Sequence, residues 1–303
     1  MSTGPATLTE RPSGMKQQLS DYLELTKPKI AVLLLVCVAI AGFYASGGQP
    51  DVVRLVNVII GTALVAASSC VWNQCLEVHA DRRMNRTSQR PIPSGRLSRY
   101  SSAMFGTLLG SIGVAYLLAT VGWMPALIGV LTWVLYVCIY TPMKQWTPWN
   151  TTVGAIAGAL PMLMGWLAVN PTLDIKAISL FAILFFWQFP HFMAIAWLYR
   201  EDYEKGGMQM WSVVDRSGTK AGLQAVSGAM ALLLVSVVPG LGYIAMPNIT
   251  YMLLSLFGGT VMLIASLRFF TSRDEKTARQ LLFASLFYLP IQLGLLVILP
   301  SGV

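Results

Sequence analysis

Long apolar runs of membrane-crossing length recur along this chain and leave it few folds to adopt. Nine of them read as spans, at about 28–46, 53–72, 101–121, 124–141, 151–169, 176–198, 222–245, 249–267 and 280–299. Each is near the ~20 residues a helix needs to cross a ~30 Å hydrocarbon layer. Inside lipid every backbone N–H and C=O must be satisfied within the protein, which restricts spanning structures to helices and closed barrels. The runs are continuous and lack the period-two alternation of barrel strands. The fold class expected is therefore all-α: a polytopic membrane helical bundle of about nine transmembrane helices. Composition excludes the soluble alternative, since only 11% of residues are charged against roughly 25% in soluble domains. Pro161, Pro190 and Pro290 fall inside runs and are expected to kink their helices. The third and fourth runs nearly touch, which demands a very tight turn at Gly122.

Charge placement orients the bundle. Of the 21 lysines and arginines, all but Arg54 and Lys176 fall in the tail and in alternate linkers, on one face. Positive-inside bias then places the N-terminus and the large polar linkers in the cytoplasm and the C-terminus on the opposite face of the cell (inner or plasma) membrane. The net charge of +8 is accounted for by this bias and by anionic headgroups, without a nucleic-acid partner. Residues 1–26 lack the apolar core of a signal peptide and read as a polar cytoplasmic N-terminal tail, followed by a single transmembrane domain over 27–300. Cys37, Cys70, Cys75 and Cys138 are scattered, which suits neither a disulfide framework nor a zinc site.

Two polar segments stand out against this background. In the first, Asn73, Glu77 and Asp81 follow the second run at four-residue intervals. If the helix continues past Trp72, all three lie on one face, one turn apart. Two carboxylates and a carboxamide there can hold Mg²⁺, with substrate phosphate oxygens completing its shell. His79 points off that face. Arg82, Arg83, Arg86 and Arg90 follow directly, and guanidinium forks suit phosphate and the charge on a departing diphosphate. The alternative for these arginines is a topology signal alone. In the second segment, Asp202 and Lys205 precede Gly206 and Gly207. Asp202 would bind metal or support the first site, Lys205 would pair with it or touch phosphate, and the glycines would free a lid. Lys144, close to the same face, is a further phosphate contact. His191, inside the sixth run with Gln188, would line an internal cavity or pack as a hydrogen-bonded core histidine.

The segments Asn73, Glu77, Asp81, Met84, Arg86, Thr87, Arg90, Pro91 and Gly95, with His191-Phe192, Asp202-Tyr203 and Gly207, resemble the intramembrane prenyltransferases of the UbiA type, and within them the haem O synthase branch. The Met-Asn-Arg-Thr-x-x-Arg-Pro stretch carries the closer likeness. The resemblance covers about residues 20–300, and Glu77 stands where the family often has aspartate. It implies a UbiA-like transmembrane prenyltransferase domain that moves a farnesyl group from farnesyl diphosphate to the 2-vinyl group of protohaem IX, with water addition, giving haem O and diphosphate. On this likeness Mg²⁺ is the cofactor, held by Asn73, Glu77, Asp81 and Asp202. Arg86 and Arg90 join them as catalytic residues, and Arg82, Arg83, Lys144, His191 and Lys205 bind substrate, His191 on the haem side. Haem is then a substrate, and a haem A synthase or oxidase-assembly protein is the expected partner besides the lipid bilayer. Two other readings stay open at this point: prenylation of an aromatic quinone precursor, and a multi-span transporter of an anionic lipid or metabolite. Carboxylates clustered on one face favour an enzyme, and inverted repeats, which would favour a transporter, are not evident.

Overall fold

The computed structural model describes residues 14–241 and 247–299. The expectations for residues 1–13, for the end of the seventh span and for residue 300 lie outside the described residues. Among the described residues, nine helices are long and apolar enough to cross a membrane, and there is no strand. A short helix α1 (Met15–Leu25) precedes the spans α2 (Pro28–Ala45), α3 (Val52–Asp81), α4 (Arg99–Thr120), α5 (Trp123–Met143), α6 (Asn150–Val169) and α7 (Ile175–Leu198). Two short helices, α8 (Arg200–Lys205) and α9 (Trp211–Val214), cross a polar loop. The spans α10 (Thr219–Gly240), α11 (Ile249–Ser272) and α12 (Glu275–Ile298) complete the bundle.

Local chemistry sets the helix starts. Pro28 opens α2, where its missing N–H costs nothing. Asp51, Ser98, Asp174, Asn248 and Asp274 cap α3, α4, α7, α11 and α12 through their side-chain oxygens. The helices run on through Pro161, Pro190 and Pro290. The tight turn expected at Gly122 is present: its φ is +132°, open to glycine and strained for other residues, and its N–H returns to the Leu117 carbonyl at 2.8 Å.

Burial orders the bundle. α6 and α7 are 61% and 56% buried, which puts them at its centre, whereas α4 at 17% is peripheral. α7 packs on α6, α10 and α12, while α6 packs on α2 and α5. α3 lies along α4, and α12 returns to α2. The larger apolar core, which includes Trp166, Met193, Leu232, Phe269 and Leu289, joins α6 and α7 to α10, α11 and α12. A second, with Val38, Val65, Leu117, Ala126 and Met164, joins α2 through α6.

Two local features differ from the sequence expectation. First, residues 15–25, part of the stretch read as a tail, form α1, anchored by fully buried Leu25 beside Val71 and Cys75. Second, α5 widens to a π-helical stretch over Val134–Tyr140 before Thr141. Such wide turns rotate the residues that follow and are frequent at functional sites.

Candidate active site

The site sits where α3 runs on beyond its apolar portion. The helix continues to Asp81, so Asn73, Glu77 and Asp81 do share a face, at 1%, 5% and 0% exposure. Buried charge of this kind persists only when paired, and each of the three has a cationic partner from a different segment. Lys144 Nζ lies 2.7 Å from Glu77 Oε1. Arg90 Nη1 donates to both carboxylate oxygens of Asp81, at 2.9 and 2.8 Å. Lys27 Nζ donates to Asn73 Oδ1 at 3.1 Å, while Asn73 Nδ2 donates to Thr141 Oγ1 at 3.2 Å.

Each partner arrives by a traceable local cause. The loop after α3 turns tightly, with Thr87 Oγ1 donating to the Asp81 carbonyl at 3.0 Å, and Pro91 is buried. That fold carries Arg90 back over the helix end. Met84 anchors the same loop by packing with Met208 and Met210, so this part of the Met-Asn-Arg-Thr stretch holds two loops together. The π-helical stretch of α5 delivers Thr141, whose hydroxyl also donates to the Tyr136 carbonyl at 2.8 Å, and then Lys144. The Tyr140 ring is seated over Gly154, where an added Cβ would meet it at 2.6 Å, and Lys144 Nζ lies 4.5 Å from the centre of that ring. Lys27 takes a left-handed backbone (φ +51°) immediately before Pro28. In the sequence Lys27 counts only among the basic residues of one face, and nothing there singles out Thr141. The signal that could have raised Lys27 is its place next to a helix-starting proline.

The electrostatics follow from this packing. Burial works against charge on Lys144, but the Glu77 carboxylate, with the Tyr140 and Tyr136 phenols, outweighs it and holds the pKa well above the ordinary lysine value. Burial pulls Lys27 below that value, countered in part by Cys70 and Glu77 and reinforced by Arg90 and Lys144.

The second segment closes over the first. Asp202 accepts the backbone N–H groups of Asn85 (3.4 Å) and Arg86 (3.2 Å), which clasps the two polar loops. The Arg86 guanidinium lies over the Tyr199 ring at 4.8 Å and donates to the Tyr203 hydroxyl at 3.3 Å. Gln209 N–H donates to the Lys144 carbonyl at 2.6 Å, which ties α9's approach to the end of α5.

Several expected residues are not gathered here. Arg82 donates to the Pro93 carbonyl at 3.3 Å and braces the loop, while Arg83 is exposed. Lys205 is exposed and forms no ion pair among the described residues, with Asp202 turned onto the loop backbone. His191 is on α7, seven residues before that helix ends at Leu198 and hence about 10 Å along its axis from the end that leads to Asp202. It stacks on Trp187 at 4.6 Å, and its Nδ1 meets Ser285 Oγ at 2.9 Å. Gln188 is not beside it: its Nε2 donates to Ala155 O at 2.9 Å. His79 is exposed, off the site face.

Among the described residues, no three of His, Cys, Asp and Glu converge on one point. Asn73, Glu77 and Asp81 nonetheless form a hard-oxygen set on one face. That fits Mg²⁺, which takes one or two carboxylates plus substrate phosphates in preference to an all-protein cage. Lys27, Arg86, Arg90 and Lys144 stand against Glu77, Asp81 and Asp202, one positive charge in excess.

Among the described residues the chain is a bundle of nine membrane-length helices with paired oxygen donors and cations at one end, and it belongs to the UbiA prenyltransferase family, whose pattern matches residues 34–289. Among its relatives, the protoheme IX farnesyltransferase of Solibacter usitatus is 40% identical over 92% of this chain and 98% of its own. That of Rhodopirellula baltica is 40% identical over 88% and 96%. The fold is shared with a digeranylgeranylglyceryl phosphate synthase structure (TM-score 0.74, 17% identity, 93% of this chain and 98% of that one). It is shared also with the UbiA homolog from Archaeoglobus fulgidus bound to GPP and Mg²⁺ (TM-score 0.66, 15% identity, 92% and 100%).

Proposed function

We propose that this prenyltransferase moves a farnesyl group from farnesyl diphosphate to the 2-vinyl group of protohaem IX, giving haem O and diphosphate. The observation that carries the reading is the array on α3: Asn73, Glu77 and Asp81, each held by a cation at 2.7–3.1 Å. The haem acceptor is supported by relatives named protoheme IX farnesyltransferase at 40% identity over nearly the whole chain.

On this reading Asn73, Glu77 and Asp81 would hold Mg²⁺, which when bound supplies charge neutralisation at diphosphate oxygens. Lys27, Lys144 and Arg90 are displaced from protein oxygens toward the diphosphate. Once turned onto the diphosphate, these cations stabilise the charge that develops on the leaving group. Arg86, on the loop after α3 and held over Tyr199 and Tyr203 of the second segment, would swing onto the diphosphate from the rim of the site. The allylic C–O bond breaks with its electron pair leaving on diphosphate. The terminal carbon of the vinyl group then bonds to the farnesyl carbon, water adds to the resulting cation, and a proton is lost. His191 Nδ1 is engaged by Ser285, which leaves Nε2 to face the porphyrin. Asp202 clasps the loop that carries Arg86 and so supports the Mg²⁺ site on α3. The inside-positive charge bias puts the diphosphate end on the cytoplasmic side.

Purified protein in lipid with Mg²⁺, farnesyl diphosphate and haem B tests this. A porphyrin gaining one farnesyl and one water, with diphosphate released in step, is the result expected. Diphosphate release with an aromatic quinone precursor and none with haem would reassign the acceptor.

A further inference from the structure

The strongest feature outside the site lies between α1 and α4. A groove of about 910 Å³ runs there, walled by Leu19 and Leu23 of α1 and by Met104 and Leu108 of α4, with Trp72 and Phe105 below. α1 has two unlike faces. Met15, Leu19 and Leu23, four residues apart, are 87%, 73% and 59% exposed. Its other face is pinned to the protein, where Arg96 holds Asp21 at 3.0 Å and Glu24 at 2.7 Å. A stripe of large apolar side chains with nothing packed against it among the described residues marks a surface that something apolar covers. Here the stripe is continuous with exposed Tyr100, Met104 and Leu108 on α4, a membrane span, so lipid is the covering medium.

The far end of α1 leads into the site. Leu25 is fully buried, and its carbonyl accepts Gln74 Nε2 at 2.8 Å, next to Asn73 on α3. Two residues on, Lys27 takes a left-handed backbone (φ +51°, ψ 56°). That conformation is uncommon for a side chain with a Cβ, and helical-type backbone is further disfavoured before proline. Such a backbone persists only where the flanking structure imposes it. The docked α1 on one side and α2 on the other impose it here, and it turns Lys27 Nζ onto Asn73.

We propose that α1 lies in the membrane interface with a phospholipid acyl chain seated in the α1–α4 groove, and that this seating holds Lys27 in place beside Asn73. Its second half rests on the reading of the Asn73 cluster as a diphosphate site. Lys27 then binds, and α1 is a positioning element.

The full chain in nanodiscs, with a phosphatidylcholine carrying a photoreactive diazirine on its acyl chain, tests the seat directly. Adducts mapped by mass spectrometry are expected on Leu19, Leu23, Met104 and Leu108. Adducts on the lipid faces of α4 and α11 with none on α1 would overturn it. The paired substitution L19E/L23E alters exposed positions only. It is expected to remove the α1 adducts and to raise KM for the prenyl diphosphate about tenfold, with kcat falling as well, the loss of one charge-assisted contact. Loss of the adducts with KM unchanged would overturn the positioning half. Binding of Mg²⁺–diphosphate alone, followed by calorimetry, separates the two readings. If the unaltered protein shows none, the diphosphate reading fails, while the adduct map still decides the lipid seat.

Discussion

At the residue scale, the site is a set of buried charge pairs, and such pairs behave asymmetrically. Removing one partner strands the other, whereas removing both is often tolerated. Glu77 and Lys144 have side chains 6% and 14% exposed. Lys144→Met should therefore cost about 3–5 kcal/mol in thermal unfolding, and adding Glu77→Gln should recover most of it. Neither variant should release diphosphate at a measurable rate, and an active double variant would separate the pair from the chemistry. Asp81→Asn leaves Arg90 its acceptor shape but not its charge, and a loss of 10²-fold or more in turnover is expected, roughly that of removing one preorganised stabilising group. Lys27 gives a pH signature. Its pKa lies below the ordinary lysine value because the ammonium is buried, so its charge is lost earlier as pH rises. KM for the prenyl diphosphate should climb on the alkaline side, and Lys27→Arg should move that limb to higher pH. An alkaline limb that stays put in Lys27→Arg would assign it to another group.

At the element scale, two local structures decide where the cations end up. The π-helical stretch Val134–Tyr140 inserts extra backbone before Thr141 and Lys144. Deleting one residue within it would favour regular α-helix and draw Thr141 and Lys144 back along the helix from their places opposite Asn73 and Glu77. A protein that inserts normally and retains its helical signal, but has lost activity, is the expected result. Gly122 tests the α4–α5 turn: Gly122→Ala should cost about 1–3 kcal/mol, because φ +132° with ψ 176° is open to glycine alone. The apolar runs exposed nine spans in the sequence because lipid forces long uninterrupted helices. The carboxylate face was legible for a related reason, since a four-residue interval survives wherever α3 continues. α1 was not legible, because its polar half mimics a solvated tail and its anchor, Leu25, is a single buried residue. The π-helical stretch was invisible because it is a matter of backbone hydrogen bonding, not of residue type. Lys27 was missed because its role depends on a left-handed backbone that no propensity favours. Arg82, Arg83, Arg86 and Lys205 share composition and neighbourhood with Arg90, and only the loop's fold turns Arg90 onto Asp81, sets Arg86 over Tyr199 and leaves the others facing out.

At the scale of the whole molecule, charge and grease are divided between the end of the bundle and its body. The polar loops after α3, α5 and α7 converge on one end, where Asp202, Gln209 and Met84 tie them together. The body below is apolar, and His191 lies within it, well removed from the cations. This division suits the proposed reaction between a diphosphate head and a greasy chain: the head would be gripped at the polar end, and the carbon that reacts would lie in the drier interior, where a carbocation is shielded from early capture by water. The reading of the site as Mg²⁺-dependent makes chelation reversible. EDTA should abolish diphosphate release, Mg²⁺ should restore it, and the fold should be unaffected because the cations already pair the carboxylates. The most direct measurement is porphyrin mass and diphosphate release together, from the purified protein in lipid with Mg²⁺, farnesyl diphosphate and haem B. One farnesyl plus one water gained per diphosphate released, absent in Asp81→Asn, is the predicted result. Folded, haem-binding protein that leaves both the porphyrin and the farnesyl diphosphate unchanged would contradict it.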